Sequence, residues 1–281
     1  MDKSKTEWLL SAAEQGDAQA QYNLGFLYSW GKGVEQSFEK AVEWYQKAAE
    51  QGHATAQFSL GYCYDSGQGV EQSNEKAFEW YKKAAEQGQP RALFNIGQFY
   101  YNGKCVEKSM EKAVEWYQKA AERGHAKAQF SLACCYEFGE GVEQSYEKAV
   151  EWYMKAAEQG HGQAQCNLGV CYYNGHGVEQ SNEKAFEWYN KAAEHGSVSA
   201  QCNLGICYEY GQGVEQNDEK AVEWYRKAAE QGHAVAQYHL GCCYESGKGV
   251  EQNHEKATEW YQKAAENGYN IPSQLNELSA S

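Results

Sequence analysis

A tryptophan recurs every 36 residues, at Trp8, Trp44, Trp80, Trp116, Trp152, Trp188, Trp224 and Trp260, with no insertion or deletion between them. A fixed period of this length means stacked copies of one supersecondary unit, each too small to bury its own apolar face and dependent on its neighbours. Seven full copies run from Asp17 to Gly268. Residues 1–16 read as half a copy capping the N-terminal end and 17–268 as one continuous repeat domain. Residues 269–281 read as a C-terminal capping tail, in which Ile271, Pro272, Leu275 and Leu278 suggest a last amphipathic turn or two.

The second copy, from His53 to Gly88, shows why the unit is a pair of helices. Ala56, Leu60 and Tyr64 recur at helical spacing and define helix A, which Gly67-Gln68-Gly69 ends because glycine accepts the left-handed backbone that closes a helix. Ser73 then stands as an N-cap, as do Ser37, Ser109, Ser145, Ser181, Asn217 and Asn253, with an acidic residue such as Glu75 in the following turn. Helix B continues through Ala77, Trp80, Tyr81, Ala84 and Ala85 to Gly88. The small residues allow close backbone approach, with Trp80 and Tyr64 expected to fill the remaining space. The outer acidic residues Glu43, Glu79, Glu115, Glu151, Glu187, Glu223 and Glu259 read as a solvated face, paired i,i+4 with lysines such as Lys47 and Lys83.

Acidic residues number 39 against 25 basic ones, a net charge of −14, so a phosphate backbone would repel the chain and nucleic acid is not an expected partner. No segment approaches the roughly 20 apolar residues of a membrane span, and the first residues lack the apolar stretch of a secretory signal. Membrane insertion is not expected, and the cytoplasm is the expected location. Of the ten cysteines, Cys63, Cys135, Cys171, Cys207 and Cys243 share a column with Leu27 and Phe99, which marks a buried apolar position and reads as free core thiols in a reducing compartment.

The pattern Ala56, Leu60-Gly61, Tyr64, Gly67-Gln68-Gly69-Val70, Lys76-Ala77, Trp80-Tyr81, Lys83-Ala84-Ala85 and Gly88 closely resembles the Sel-like repeat, a relative of the tetratricopeptide repeat. The resemblance implies an all-α fold, a right-handed α-solenoid of antiparallel helix pairs with helix A lining the concave side, and a role as an adaptor that holds other proteins. It also brings two alternatives: a bacterial immunity-type protein that neutralises a toxin, and a β-lactam-binding hydrolase like a secreted, cysteine-rich branch of the family. That branch carries paired half-cystines eight residues apart within each repeat, which this chain lacks. The third copy departs from the pattern at Gln89-Pro90-Arg91-Ala92-Leu93 and at Cys105, and the fourth at Ala133.

Positions kept in every copy are explained by packing, so binding is sought where the copies differ on helix A. There lie Tyr22, Phe26 and Trp30, then Phe58 and Tyr62, then Phe94, Gln98 and Tyr101, then Phe138, and later Tyr210. Arg91 and Lys127 are available for a carboxylate. The expected ligand is a protein or peptide and the expected state a monomer, with self-association as the alternative. The column Tyr22, Phe58, Phe94 and Phe130 reads either as groove lining or as packing between A helices; Phe26, Trp30, Tyr62, Phe138 and Tyr210 are expected to be exposed.

Catalytic and cofactor signals are weak. His53, His125, His161 and His233 form one column, best read as polar residues opening helix A. There is no His-Glu-x-x-His, no Cys-x-x-Cys and no phosphate loop, so neither an enzyme nor a cofactor or metal site is expected.

Overall fold

Fifteen α-helices are the only regular elements among the described residues, 3–270, of this computed structural model. They fall in two compact units, one ending at Gln144 and the other beginning at Ser145. The first unit holds α1 (Lys3–Glu14), α2 (Ala18–Trp30), α3 (Phe38–Glu50), α4 (Ala54–Ser66), α5 (Asn74–Glu86), α6 (Pro90–Asn102), α7 (Met110–Glu122) and α8 (Ala126–Phe138). The second holds α9 (Tyr146–Glu158), α10 (Gly162–Asn174), α11 (Asn182–Glu194), α12 (Val198–Tyr210), α13 (Asp218–Glu230), α14 (Ala234–Ser246) and α15 (His254–Glu266). Even-numbered helices are helix A of their copy and odd-numbered ones helix B. The expected turn at Ile271, Pro272, Leu275 and Leu278 lies outside the described residues.

Both helix types are specified at their ends by local chemistry. The hydroxyl of Ser73 accepts the backbone N–H of Lys76, and Ser37, Ser109, Ser145 and Ser181 do the same in their own copies. The carboxyl of Glu39 is held below the usual range by its own backbone N–H and then by the Ser37 hydroxyl, which donates to it at 3.0 Å. The histidine column caps helix A in an unusual way. His53, His125, His161 and His233 each accept a backbone N–H through imidazole Nδ1, from Ala56, Ala128, Ala164 and Ala236. Asp17, Gln89 and Ser197 perform the same task in the other copies.

Within a copy the two helices run antiparallel, since Gln57 meets Gln87 while Gly61 meets Tyr81. The tyrosine of helix B, not the tryptophan expected to fill the core, is the buried aromatic. Tyr81, Tyr117, Tyr153 and Tyr225 are at most 2% exposed. Each ring needs a gap in the helix facing it: a Cβ built on Gly61 would lie 2.7 Å from Tyr81 Cδ1, closer than carbon atoms approach. From Trp44 onward the recurring tryptophans are half-buried, whereas Trp8 is 69% exposed, and the lysines thought to pair with glutamates lie over the half-buried rings instead. Lys47, Lys83, Lys119, Lys155, Lys191, Lys227 and Lys263 place Nζ 3.8–4.4 Å from the ring centroids of Trp44, Trp80, Trp116, Trp152, Trp188, Trp224 and Trp260. Lysine and tryptophan here are three residues apart on one helix, and the attraction of ammonium for the indole face wins over a solvated carboxylate.

A column of glutamines, unremarked in the sequence, is buried on helix A: Gln21, Gln57, Gln129, Gln165, Gln201 and Gln237 are 3–8% exposed. Gln21, Gln57, Gln129, Gln165 and Gln237 reach back to the end of the preceding helix B, as Gln237 does to the carbonyl of Ala229 at 3.0 Å. The third copy has Leu93 there instead.

Candidate functional site

The expected binding residues separate into two sets according to their place on helix A. Tyr22, Phe58 and Phe94 are half-buried and lean on the core tyrosines of their own copies, Tyr45, Tyr81 and Tyr117, at centroid distances of 5.9, 5.6 and 5.6 Å. The outer faces of Tyr22 and Phe94 are covered in part by the capping histidines: His53 stacks on Tyr22 and His125 lies on Phe94, both at 5.0 Å. This column is packing with one edge showing. Phe26, Trp30, Tyr62, Tyr101, Phe138 and Tyr210 are exposed, from 37% for Phe26 to 66% for Phe138. They lie toward the C-terminal ends of their A helices, beyond the reach of the neighbouring core. Gln98 is half-buried and accepts the hydroxyl of Tyr117 at 2.8 Å, so it serves the core as well as the surface. Arg91 and Lys127 are exposed at the opposite ends of their helices, near the N-termini.

Five of the six exposed aromatics on A helices belong to the first unit and one, Tyr210, to the second. Phe26 and Trp30 sit 6.0 Å apart, with Lys32 Nζ 5.5 and 5.8 Å from their ring centroids, a contact the sequence reading missed because Lys32 lies beyond the helix end. In the second unit the same stretch is occupied by a polar network. Tyr225 donates to Glu209 at 2.5 Å, and His239 stacks on Tyr225 at 4.9 Å while lying 3.5 Å from the same carboxylate. Burial raises the Glu209 carboxyl, but hydrogen bonds from His239 and Tyr225, together with the charges of His239 and Lys248, outweigh it and hold it below the usual range.

All ten cysteines are free thiols. Burial pushes the thiol of Cys63 up to about 11 and those of Cys135, Cys202, Cys207 and Cys243 up to about 12, which removes them as nucleophiles near neutrality. Cys105 is exposed and has a left-handed backbone, φ 53°, which among the described residues is otherwise confined to glycine. In five of the other copies the equivalent glycine, Gly69, Gly141, Gly177, Gly213 or Gly249, presses against the preceding helix B, where a Cβ on Gly213 would meet the carbonyl oxygen of Asn182. No cluster of three or more metal-ligating side chains occurs among the described residues, and no helix there is long and apolar enough to cross a membrane.

The Sel1 repeat family model matches residues 6–17, 18–53, 54–89, 90–125, 126–161, 162–197, 198–233 and 234–269. Among solved structures, the chain is similar to a protective antigen present in uropathogenic Escherichia coli strains displaying an SLR fold. The two are 37% identical with a TM-score of 0.77 over 94% of this chain. This chain spans 64% of that protein's length. It is also similar to a Sel1 repeat protein from Oxalobacter formigenes, with 38% identity and a TM-score of 0.74, covering 97% of this chain and 79% of the other. No curated protein is a significant match.

Proposed function

The chain belongs to the Sel1 repeat family, whose members are generally protein-interaction scaffolds, and we propose that it is a noncatalytic adaptor that holds a protein or peptide against the A helices of its first unit. The observation that carries this reading is the row formed by Phe26, Trp30, Tyr62, Tyr101 and Phe138. Large aromatic side chains left in water are costly where packing could have covered them, and rigid aromatics are the residues that most often anchor a protein interface. The copies keep their buried columns nearly constant while these positions vary, which gives the surface a sequence of its own. The raised thiols and the capping role of the histidines supply structural reasons for the residues that would otherwise suggest chemistry. Ten unpaired thiols favour a reducing compartment.

The test compares what is captured from a lysate of the source cell by the native chain, by the triple variant Phe26→Ala, Trp30→Glu and Tyr62→Ala, and by the single variant Tyr210→Ala. A partner retained by the native chain and Tyr210→Ala but lost by the folded triple variant supports the assignment. Equal capture by all three would move the site away from this face.

A further inference from the structure

Arg91 and Lys127 hold the same place in successive copies, the second residue of α6 and of α8. A cation in the first turn of a helix faces the positive end of the helix dipole, so both residues sit where their charge is disfavoured. The other five copies carry Gln19, Thr55, Gln163, Ser199 and Val235 there, none of them charged. No carboxylate compensates. Ion pairs form elsewhere, between Lys104 and Asp65, between His239 and Glu209, and from Lys248 to Glu209 and Asp218. The conflict is felt by His125, whose imidazole is pushed down to about 4 by burial and then by the charges of Arg91 and Lys127. Arg123 adds a third cation in a column that is uncharged glutamine or asparagine in every other copy except for His195. Its guanidinium lies over the turn that leads into α6, where a Cβ on Gly88 would be 3.0 Å from Nε.

Three cations without a carboxylate partner have thus been gathered at one edge of a chain whose net charge is −14, and two of them, Arg91 and Lys127, come at a cost to the helices that bear them. Such a local conflict is expected where a residue is kept for something outside the fold. The geometry also sets a spacing. Lys127 and Phe138 are eleven residues apart on α8, which returns them to nearly the same face about 16 Å apart, a distance that about five residues of extended chain would span.

We propose that the starts of α6 and α8, through Arg91, Lys127 and Arg123, bind an acidic segment of a partner protein, and that a large apolar residue of that segment, about five positions from its acidic residues, rests on Phe138. This rests on the reading of the A-helix face as a protein-binding surface and names the chemistry it selects. The chain's overall negative charge does not forbid it, because at physiological salt charges beyond about 8 Å are screened and the nearby cations decide.

The test uses the full chain and fluorescence anisotropy with labelled twelve-residue peptides. One carries Asp-Glu-Asp-Glu with a Phe five positions on, and the other has Asn-Gln-Asn-Gln in place of the acids. The acidic peptide is expected to bind about tenfold more tightly at low salt, with the gap closing as KCl is raised. The variant Arg91→Gln, Lys127→Gln and Arg123→Gln should lose the preference, Arg91→Lys should keep most of it, and circular dichroism should show both folded. Equal affinity for the two peptides, no binding of the acidic one, or a preference that survives the triple variant would overturn the inference. If the peptides bind equally and Phe138→Ala weakens both, the aromatic surface stands and only its charge selectivity fails. Concentration-dependent dimerisation abolished by the triple variant would show that a second copy supplies the acids, and would overturn the assignment to a partner.

Discussion

Gln87 donates through Nε2 to Oε1 of Gln57 at 2.8 Å, and Gln57 donates in turn to the carbonyl of Ala49 at 3.1 Å, so one buried amide joins three successive helices, α3, α4 and α5. The pair recurs as Gln51 with Gln21, Gln231 with Gln201 and Asn267 with Gln237. Replacing Gln57 by Ala takes the donor from the Ala49 carbonyl and opens a hole, and should cost about 2 kcal/mol. Gln57→Leu, the choice the third copy makes at Leu93, should cost less than about 1 kcal/mol, because it refills the space while Gln87 keeps the carbonyl of Gly52 at 2.9 Å. Urea unfolding of both variants checks the order; equal losses would mean that the hydrogen bonds and not the volume dominate.

Gly205 and Gly162 should respond in opposite directions to alanine. At Gly205 the new Cβ would collide with the fully buried ring of Tyr225, and overpacking of this kind costs about 1–3 kcal/mol, more than the gain in helix propensity of about 1 kcal/mol. At Gly162, the first residue of α10, the nearest atom is Cβ of His195 at 3.6 Å, an ordinary contact. Gly162→Ala should therefore raise the melting temperature and Gly205→Ala lower it.

The caps formed by His125 and His233 make stability depend on pH. Nδ1 of His125 must be unprotonated to accept the N–H of Ala128, and its surroundings are the ring of Phe94 and the cations Arg91 and Lys127. A histidine with a depressed folded value is protonated first in the unfolded chain. Its contribution is intact above the unfolded value of about 6.5 and is lost as the pH falls from there to about 4. His233 is shifted in the same direction by burial. His125→Ser, which copies the natural cap Ser197, should lose less stability between pH 7.5 and 4.5 than the native chain. Identical losses in paired denaturation curves would exclude the cap as the titrating element.

Cys105→Gly should stabilise the third copy by about 1 kcal/mol, since it relieves a left-handed non-glycine backbone and gives up only a thiol contact of 3.5 Å to the carbonyl of Asn74. The reverse change, Gly213→Cys, should cost more than that gain, because the added Cβ would meet backbone with no room to move. Calorimetric melting of the two variants decides the matter.

Much of the helix-pair repeat was legible because the punctuation is local: Ser73 and Gly67 announce their roles from their own side chains and backbone preferences. What was harder to read depends on a second helix. Gln57 looks like an ordinary polar surface residue until the end of α3 is placed beside it, although its return in six of seven copies was a signal. Tyr81 and Trp80 are adjacent and equally constant, and only the gap left by Gly61 decides which of them is buried. Exposure of Phe26, Trp30, Tyr62, Phe138 and Tyr210 followed from helical phase alone. Packing of Tyr22, Phe58 and Phe94 required the partner rings of Tyr45, Tyr81 and Tyr117.

The lysines that lie 3.8–4.4 Å over seven of the nine tryptophans have an optical consequence. Those seven indoles share one half-buried setting, each with an ammonium against its face, and should emit as a single, nearly invariant population. Trp8 and Trp30 stand apart, 69% and 64% exposed, and only Trp30 lies beside Phe26 on the face assigned to ligand, so with Trp8→Phe in place a blue shift confined to the red edge of the emission would report occupancy of that face without any added label.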